Sequence, residues 1–314
     1  MINTRRGFLG LLLATALVAC GSPATLGAAP ATPASTPAPP VSAFPRSVTD
    51  FQGRTTAIAS RPERIVSVGA SNTEFLFALG AGDRVVGVDD FSDFPPEAAR
   101  KEKVGGVKVS VEKVVGLRPD LVVMVKISDG TVERLAGAGI AVVIVDPQNL
   151  ADVFRTAVLL GTVIGADGQR LASDLERRVD AVRERTRSAP RPRVFHEVDA
   201  SDPARPFTVG PGSYLSEIID VAGGINVAAR ASSPYPQLSL EEVVRADPEV
   251  IVLADADYGV TPDQVAARLG WSALAAVRAG RVFPIADSLV SRPGPRVGEA
   301  AEAYARLLHP ELFR

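Results

Sequence analysis

The residues that most often carry catalysis or metal binding are scarce in this chain. Its 314 residues include one cysteine, Cys20, and two histidines, His196 and His309. One cysteine cannot form an intramolecular disulfide, and two histidines far apart argue against a multi-histidine metal site. The sequence contains no Gly-x-Gly-x-x-Gly, phosphate-loop or Gly-x-Ser-x-Gly motif. The composition therefore favours a protein that recognises a ligand over one that transforms it.

Aromatic residues and one arginine are the candidates for ligand contact. Phe91 and Phe94 lie in a turn-rich stretch with Asp, Ser and Pro, residues 90–96, where a core role is less expected. The other candidates are Phe207, Tyr214, Tyr235 and Arg292, with Tyr258 and Trp271 as secondary ones. Core packing is the alternative for each phenylalanine. Aromatic faces suit a flat and mostly apolar ligand that needs few charges.

Two glutamates occupy equivalent positions in an internal repeat. Glu112 follows Ser110, and Glu241 follows Ser239, at an offset of 129 residues. Each lies in the first turn of a predicted helix. A carboxylate there stabilises the helix dipole by at most about 1 kcal/mol, which is the structural alternative to a functional role.

Short apolar strands alternate with helical patterns along the body of the chain. Runs such as 65–68 and 121–125 are rich in β-branched residues, which is typical of a parallel sheet covered on both faces. Ser71-Asn72-Thr73-Glu74 indicates a capping box before a helix. The charged stretch from Leu150 to Arg187 predicts one long helix that joins two lobes, with an ordinary surface helix as the alternative.

The repeat predicts that the two lobes share a topology. Residues 111–123 correspond to 240–252 at the offset of 129, and residues 73–80 correspond to 216–223 at an offset of 143. Two matched units in the same order favour duplication, although the pattern of helix, proline and apolar strand is common enough for coincidence. Two similar lobes imply a cleft between them, where ligands often bind.

The N-terminus indicates export and lipid attachment. Arg5 and Arg6 precede an apolar stretch, residues 8–19, that is too short to span a bilayer but suits a signal peptide. Leu17-Val18-Ala19-Cys20 resembles a lipobox, in which the cysteine is diacylated after cleavage. Residues 4–9 resemble a twin-arginine signal, with the general export route as the alternative. Alanine and proline dominate the following residues, which predicts an extended tether.

These observations define the predicted organisation of the chain. It comprises a signal peptide (1–19), a lipidated tether (20–45), an N-terminal lobe (46–149), a linking helix (150–187) and a C-terminal lobe (188–314). Hydrophobic residues at 46 % and charged residues at 22 % exclude wholesale disorder. The net charge of −2 lacks the basic footprint of a nucleic-acid-binding protein.

The ordered motifs resemble one family. The chain is similar to the substrate-binding proteins of ABC importers for cobalamin, heme and ferric siderophores over about residues 46–310. The motifs that carry the resemblance are Arg64-Ile65-Val66-Ser67-Val68, Thr73-Glu74, Val104-Gly105-Gly106, Leu117 to Val122, Ala222 to Val227 and Ser291 to Arg296. The resemblance implies an α/β fold of two Rossmann-like lobes joined by one long helix, with little hinge motion.

The resemblance also implies roles for the candidate residues. Glu112 and Glu241 would dock onto arginines of the permease, and the aromatic residues would contact a corrin from both lobes. The expected function is capture of a metal chelate, a cobalamin or a ferric siderophore with cobalamin favoured, for a permease and its ATPase. We expect a lipid-anchored, extracytoplasmic monomer with no catalytic activity, resident cofactor or metal site of its own. The alternatives are heme or free-metal binding, and an exported enzyme with His196 as its base.

Overall fold

Buried β-branched residues form the strands of two parallel sheets. The computed structural model describes residues 44–313, so the predicted signal peptide, Cys20 and most of the tether lie outside the described residues. The first lobe contains β1 (Arg46–Thr49), β2 (Thr55–Ile58), β3 (Ile65–Val68), β4 (Val85–Val88), β5 (Glu102–Lys103), β6 (Leu121–Met124) and β7 (Ala141–Ile144). β1 and β2 form an antiparallel hairpin, and the others form a parallel sheet in the order β5-β4-β3-β6-β7. The predicted strands β3 and β6 are buried on both faces.

The second lobe repeats this topology. It contains β8 (Arg193–Asp199), β9 (Phe207–Thr208), β10 (Ile225–Asn226), β11 (Val250–Leu253) and β12 (Val282–Pro284). The parallel strands follow the order β10-β8-β11-β12, which matches β4-β3-β6-β7 of the first lobe. β9 is antiparallel and pairs with β8. The two-lobed α/β fold predicted from the repeat is confirmed.

Helices cover both sheets and connect the lobes. They are α1 (Ala70–Ala78), α2 (Pro96–Ala99), α3 (Val111–Gly116), α4 (Thr131–Gly137), α5 (Leu150–Ile164), α6 (Gly168–Thr186), α7 (Tyr214–Val221), α8 (Leu240–Ala246), α9 (Pro262–Ala266), α10 (Ala275–Arg278), α11 (Asp287–Val290) and α12 (Val297–Leu308). Short 3-10 turns lie at 82–84, 255–258, 271–273 and 310–313. Within residues 44–313, none of these helices has the length and apolar character needed to cross a bilayer.

The prediction of one continuous helix over 150–187 is wrong. Gly165 ends α5 in the left-handed conformation with φ 75°, and the Asp167 side chain caps α6 by accepting from the Arg170 amide at 3.0 Å. The two helices form a tight hairpin, because a Cβ at Gly168 would lie 2.1 Å from the Ala157 carbonyl oxygen. α6 then contacts α7 and α12 of the second lobe, so it alone is the linking helix.

One hydrophobic core runs through both lobes. It includes Phe75 of α1, Leu160 of α5, Val179 of α6, and Ile218 and Tyr304 of the second lobe. Each sheet has a separate cluster on its outer face. The continuous core holds the lobes in a fixed relation, and the cleft between them inherits that geometry.

Candidate functional site

The carboxyl edges of the two sheets meet at the cleft. α1 directly follows β3 at this edge of the first sheet, and its Glu74 bonds to Arg292 and Arg296, which lie beyond β12 in the second lobe. In open parallel sheets, ligands bind outside the carboxyl ends of the strands. The loops that follow the strands on both sides are therefore the walls of the candidate site.

Four of the predicted aromatic residues are exposed on these loops. Phe91 and Phe94 follow β4 in the first lobe, whereas Phe207 lies in β9 and Tyr235 follows β10 in the second lobe. Between 41 % and 56 % of each residue is accessible to solvent. Phe207 pairs with Gln237 in an isolated bridge, and the Thr208 amide donates to the Pro236 carbonyl at 2.9 Å, so Phe207 and Tyr235 lie on adjoining segments.

The phenol of Tyr235 is influenced by a charge of the first lobe. Burial raises the pKa of its phenol, and the negative charge of Asp146 raises it further. Asp146 follows β7 of the first lobe, and its own pKa is raised chiefly by burial. The phenol of the second lobe therefore lies within electrostatic range of a carboxyl group of the first.

The start of the loop that carries Phe91 and Phe94 is fixed by its own lobe. The buried Asp89 carboxylate accepts hydrogen bonds from the amides of Gly69 and Phe91. Ser92 is buried and its hydroxyl bonds to that of Thr73 at 2.8 Å. The ammonium of Lys103 donates to the carbonyls of Asp89 and Ser92, at 3.0 and 2.9 Å. The loop is thus preorganised without a ligand, which lowers the entropic cost of binding.

Glu74 forms the centre of a charged network at the floor of the cleft. Arg296 donates to its two carboxylate oxygens at 2.8 and 2.6 Å, and Arg292 donates to one of them at 3.3 Å. Arg292 also donates to Asp93 at 2.6 Å and to the Phe91 carbonyl at 3.2 Å. The Arg296 guanidinium lies 4.2 Å from the centroid of the Phe94 ring. Two cations therefore face two carboxylates.

This network changes the interpretation of two sequence motifs. The predicted capping box at residues 71–74 is wrong, because α1 begins at Ala70 after Gly69 and the Glu74 side chain is buried against the second lobe. Arg292, predicted to contact a ligand, is committed to protein carboxylates. Although burial lowers the pKa of Arg292, the hydrogen bonds and charges of Asp93 and Glu74 outweigh it and raise that pKa. The hydrogen bond from Arg292 is the main cause that lowers the pKa of Asp93.

Two aromatic candidates pack in the core instead of lining the cleft. Tyr214 is 3 % exposed and belongs to the buried face of α7, where burial raises the pKa of its phenol. It therefore offers no ring face to a ligand in this structure. Trp271 is fully buried against Phe195, with ring centroids 5.7 Å apart. Tyr258 is exposed on the turn after β11.

Comparison with known proteins decides the family. Residues 65–289 match the sequence profile of the periplasmic binding protein family. The chain belongs to this family. It is 33 % identical to an uncharacterized ABC transporter substrate-binding lipoprotein of Bacillus subtilis, over 97 % of this chain and 96 % of the relative. It is 31 % identical to a cobalamin-binding protein of Halobacterium salinarum, over 97 % and 85 % of the two chains.

A solved structure shares the fold. The periplasmic vitamin B12 binding protein of Vibrio cholerae superposes with a TM-score of 0.68 and 27 % identity. The match covers 81 % of this chain and 99 % of that protein.

The two predicted docking glutamates lie at equivalent places in the binding-protein fold. Glu112 is in the first turn of α3 and Glu241 in the first turn of α8, each beside a serine cap. Both helices begin at the carboxyl edge of their sheet, because each follows a loop that leaves the end of a parallel strand. Both residues are exposed, and neither carboxylate pairs with a basic side chain within the described part of the chain.

The described residues also bear on the metal and enzyme alternatives. Among residues 44–313, no group of three or more His, Cys, Asp and Glu side chains is arranged to hold a metal ion. His196 is fully buried, its Nδ1 bonds to the Tyr304 hydroxyl, and burial lowers its pKa to about 3. A neutral imidazole with no access to solvent is a structural residue of the core, not an available base.

Sequence reasoning missed the importance of Glu74, Asp93 and Arg296. Thr73-Glu74 and the segment that ends at Arg296 were recognisable only as fragments of the family pattern. Their partners lie about 200 residues away, at separations of 199, 218 and 222 residues. No local spacing could have paired them.

A buried carboxyl pair in the second lobe shares one arginine. Glu197 is fully buried and accepts two hydrogen bonds from Arg268, at 2.5 and 2.8 Å. Asp255 is also buried, and its oxygens have no donor among the described residues. Burial raises the pKa of Asp255 to about 7, and the Glu197 carboxylate contributes to the same shift. The protonated form of Asp255 is therefore favoured in the folded protein below about pH 7.

This pair predicts a pH-dependent stability. The folded pKa of Asp255, about 7, exceeds the unfolded value near 3.9, so stability is lost as pH rises from about 4 to 7 and then levels off. Asp255→Asn removes this ionisation. Its free energy of unfolding relative to wild type should increase over the same pH range, by about 1 kcal/mol or more, in urea denaturation. The exposed Asp263→Asn variant is the charge-matched control, and parallel pH profiles for Asp255→Asn and wild type would contradict the assignment.

Proposed function

We propose that this protein is the extracytoplasmic solute-binding component of an ABC importer and captures a metal chelate between its lobes. The observation that carries the proposal is the set of exposed rings on loops of both lobes, Phe91 and Phe94 in the first lobe and Phe207 and Tyr235 in the second. Exposed apolar side chains grouped in this way mark a binding surface. A flat macrocycle can contact such rings from both sides. Membership of the periplasmic binding protein family supports a role in binding without catalysis.

Within the chelates, the cleft favours an uncharged corrinoid such as cobalamin. The two arginines at its floor are already paired with Glu74 and Asp93, so they present no free guanidinium to an anionic ferric siderophore. The relatives named for cobalamin and vitamin B12 binding support the same choice.

Titration of the purified mature protein with chelates tests this function. We expect saturable 1:1 binding of cyanocobalamin by calorimetry and much weaker binding of anionic ferric siderophores. Phe91→Ala and Tyr235→Ala should each weaken cobalamin binding about tenfold, because a lost aromatic contact contributes roughly 1 kcal/mol or more. The control is Leu269→Ala, which removes an exposed apolar side chain outside the proposed walls.

The outcome of the titration separates the alternatives. Tight binding of heme or of a siderophore alone would reassign the ligand but keep the importer role. If no chelate binds and a small molecule is turned over, the proposal fails in favour of an exported enzyme.

We also propose that Glu112 and Glu241 dock the loaded protein onto its permease. Glu112 and Glu241 are exposed first-turn glutamates at equivalent positions of the two lobes, and neither pairs with a cation among the described residues, which supports this assignment. Surface carboxylates of this kind complement arginines on a partner and steer its approach.

Glu112→Ala combined with Glu241→Ala should abolish cobalamin uptake by cells while calorimetric affinity stays at the wild-type value. The control is Glu97→Ala with Glu133→Ala, which removes two exposed first-turn glutamates of α2 and α4. Normal uptake by the first double variant, or an equal loss in the control, would remove the docking role.

We propose further that the mature protein begins at a lipidated Cys20. The lipobox-like residues 17–20 support this, and the Bacillus subtilis relative is named as a lipoprotein. The intact mass of protein extracted from membranes should equal that of residues 20–314 plus a diacylglyceryl group. A mass that fits the unmodified polypeptide, or release of Cys20→Ser and wild type alike into the soluble fraction, would argue against the anchor.

A further inference from the structure

The aromatic loop of the first lobe, residues 89–94, is held from both lobes. Its first half, Asp89 and Ser92, bonds to groups of its own lobe. Its second half is held differently. Arg292 of the second lobe binds the Asp93 carboxylate at 2.6 Å, and Arg296 lies over the Phe94 ring at 4.2 Å.

Arg292 grips this loop at two points. Besides Asp93, its Nη2 donates to the backbone carbonyl of Phe91 at 3.2 Å. Among the described residues, the polar partner recorded for the Asp93 side chain is Arg292. The orientation of Phe91 and Phe94 therefore depends on a side chain that belongs to the opposite lobe.

Glu74 fixes the arginines themselves. Its buried carboxylate accepts two hydrogen bonds from Arg296 and a third from Arg292, and Arg296 also donates to the Ser288 carbonyl at 2.7 Å. A planar guanidinium bound at several points is held in one orientation. Both arginines are largely buried, with side chains 17 % and 14 % exposed, which leaves little of either for a ligand.

We propose that Arg292 and Arg296 are positioning residues: from the second lobe they set the orientation of the Phe91 and Phe94 rings, and they do not bind the ligand themselves. Glu74 holds both arginines by hydrogen bonds, and Asp93 is the loop residue that Arg292 binds. The proposal rests on the proposed function, because it assumes that these rings recognise the ligand. The ion pairs that the two arginines form with Glu74 and Asp93 would then increase the binding affinity, because they order the loop before the ligand arrives.

Asp93→Ala tests the ion pair between Arg292 and Asp93 by removing its more exposed partner. Its side chain is 61 % exposed, so the fold should survive and the melting temperature should stay close to wild type. We expect about a tenfold loss of cyanocobalamin affinity, since the loop must be ordered on binding. We also expect faster hydrogen exchange at the amides of residues 90–94 in the ligand-free protein. Asp90→Ala makes the same charge change in the same loop, where no hydrogen bond to the carboxylate is recorded, and should leave exchange unchanged.

A double-mutant cycle distinguishes positioning from ligand contact. Arg292→Met keeps the side-chain volume, and Glu74 retains both bonds from Arg296, so the buried carboxylate stays paired. If Arg292 acts through the loop, the losses of affinity in Arg292→Met and Asp93→Ala will not add in the double variant. Full additivity, with Arg292→Met still costing its whole factor when Asp93 is absent, would overturn the proposal and make Arg292 a ligand contact.

Hydrogen exchange separates this inference from the proposed function. If wild type binds no chelate but Asp93→Ala and Arg292→Met both accelerate exchange in residues 90–94, then Arg292 does order the loop and the function was wrongly assigned. If wild type binds cobalamin while neither variant changes exchange or affinity, the function stands and the positioning role is refuted.

Discussion

A buried negative charge at the junction of the lobes governs this structure. Glu74 lies in the second turn of α1, where water is excluded, and an unpaired carboxylate there would destabilise the fold by several kcal/mol. The counter-charges come from Arg292 and Arg296, more than 200 residues later in the chain. The carboxylate is therefore satisfied only when the two carboxyl edges meet. The cleft, its floor and the direction of its aromatic wall all follow from that requirement.

The two lobes contribute the same elements to one binding face. Each presents the carboxyl edge of a sheet of shared strand order, a helix with a first-turn glutamate, and a pair of exposed rings. A duplicated scaffold suits a ligand with two faces, because each lobe can cover one of them. The walls are formed by loops, which tolerate change better than the strands that carry them.

Much of the fold was predictable because its strands and helices follow from the order of apolar and polar residues along short segments of the chain. The short runs that became β3 and β6 are rich in β-branched residues and are buried at all four positions, as the sequence pattern predicts. The offset of 129 residues aligns α3 and β6 with α8 and β11. The exposure of Phe91 and Phe94 also followed from their turn-rich surroundings.

The differences between the sequence-based expectations and the structure share a physical cause. The stretch 150–187 was predicted as one helix, although Gly165 and Asp167 separate two helices within it. Gly161 and Gly168 allow these helices to approach more closely than any side chain would permit. Tyr214 and Arg292 were assigned by residue type, whereas their surroundings are decided by distant partners. Ser71 to Glu74 fits a capping box locally, but a buried ion pair across the cleft is the stronger interaction for Glu74. Local sequence cannot encode such contacts in a recognisable form.

The continuous core has a consequence for how the molecule is assembled. α6 buries one face against α5 and another against α7 and α12, so neither sheet has a hydrophobic core that is complete without the other. A fragment that ends before α6 would expose the apolar face of α5, and one that begins after it would expose those of α7 and α12. A core shared in this way predicts that the two sheets unfold together in one cooperative transition.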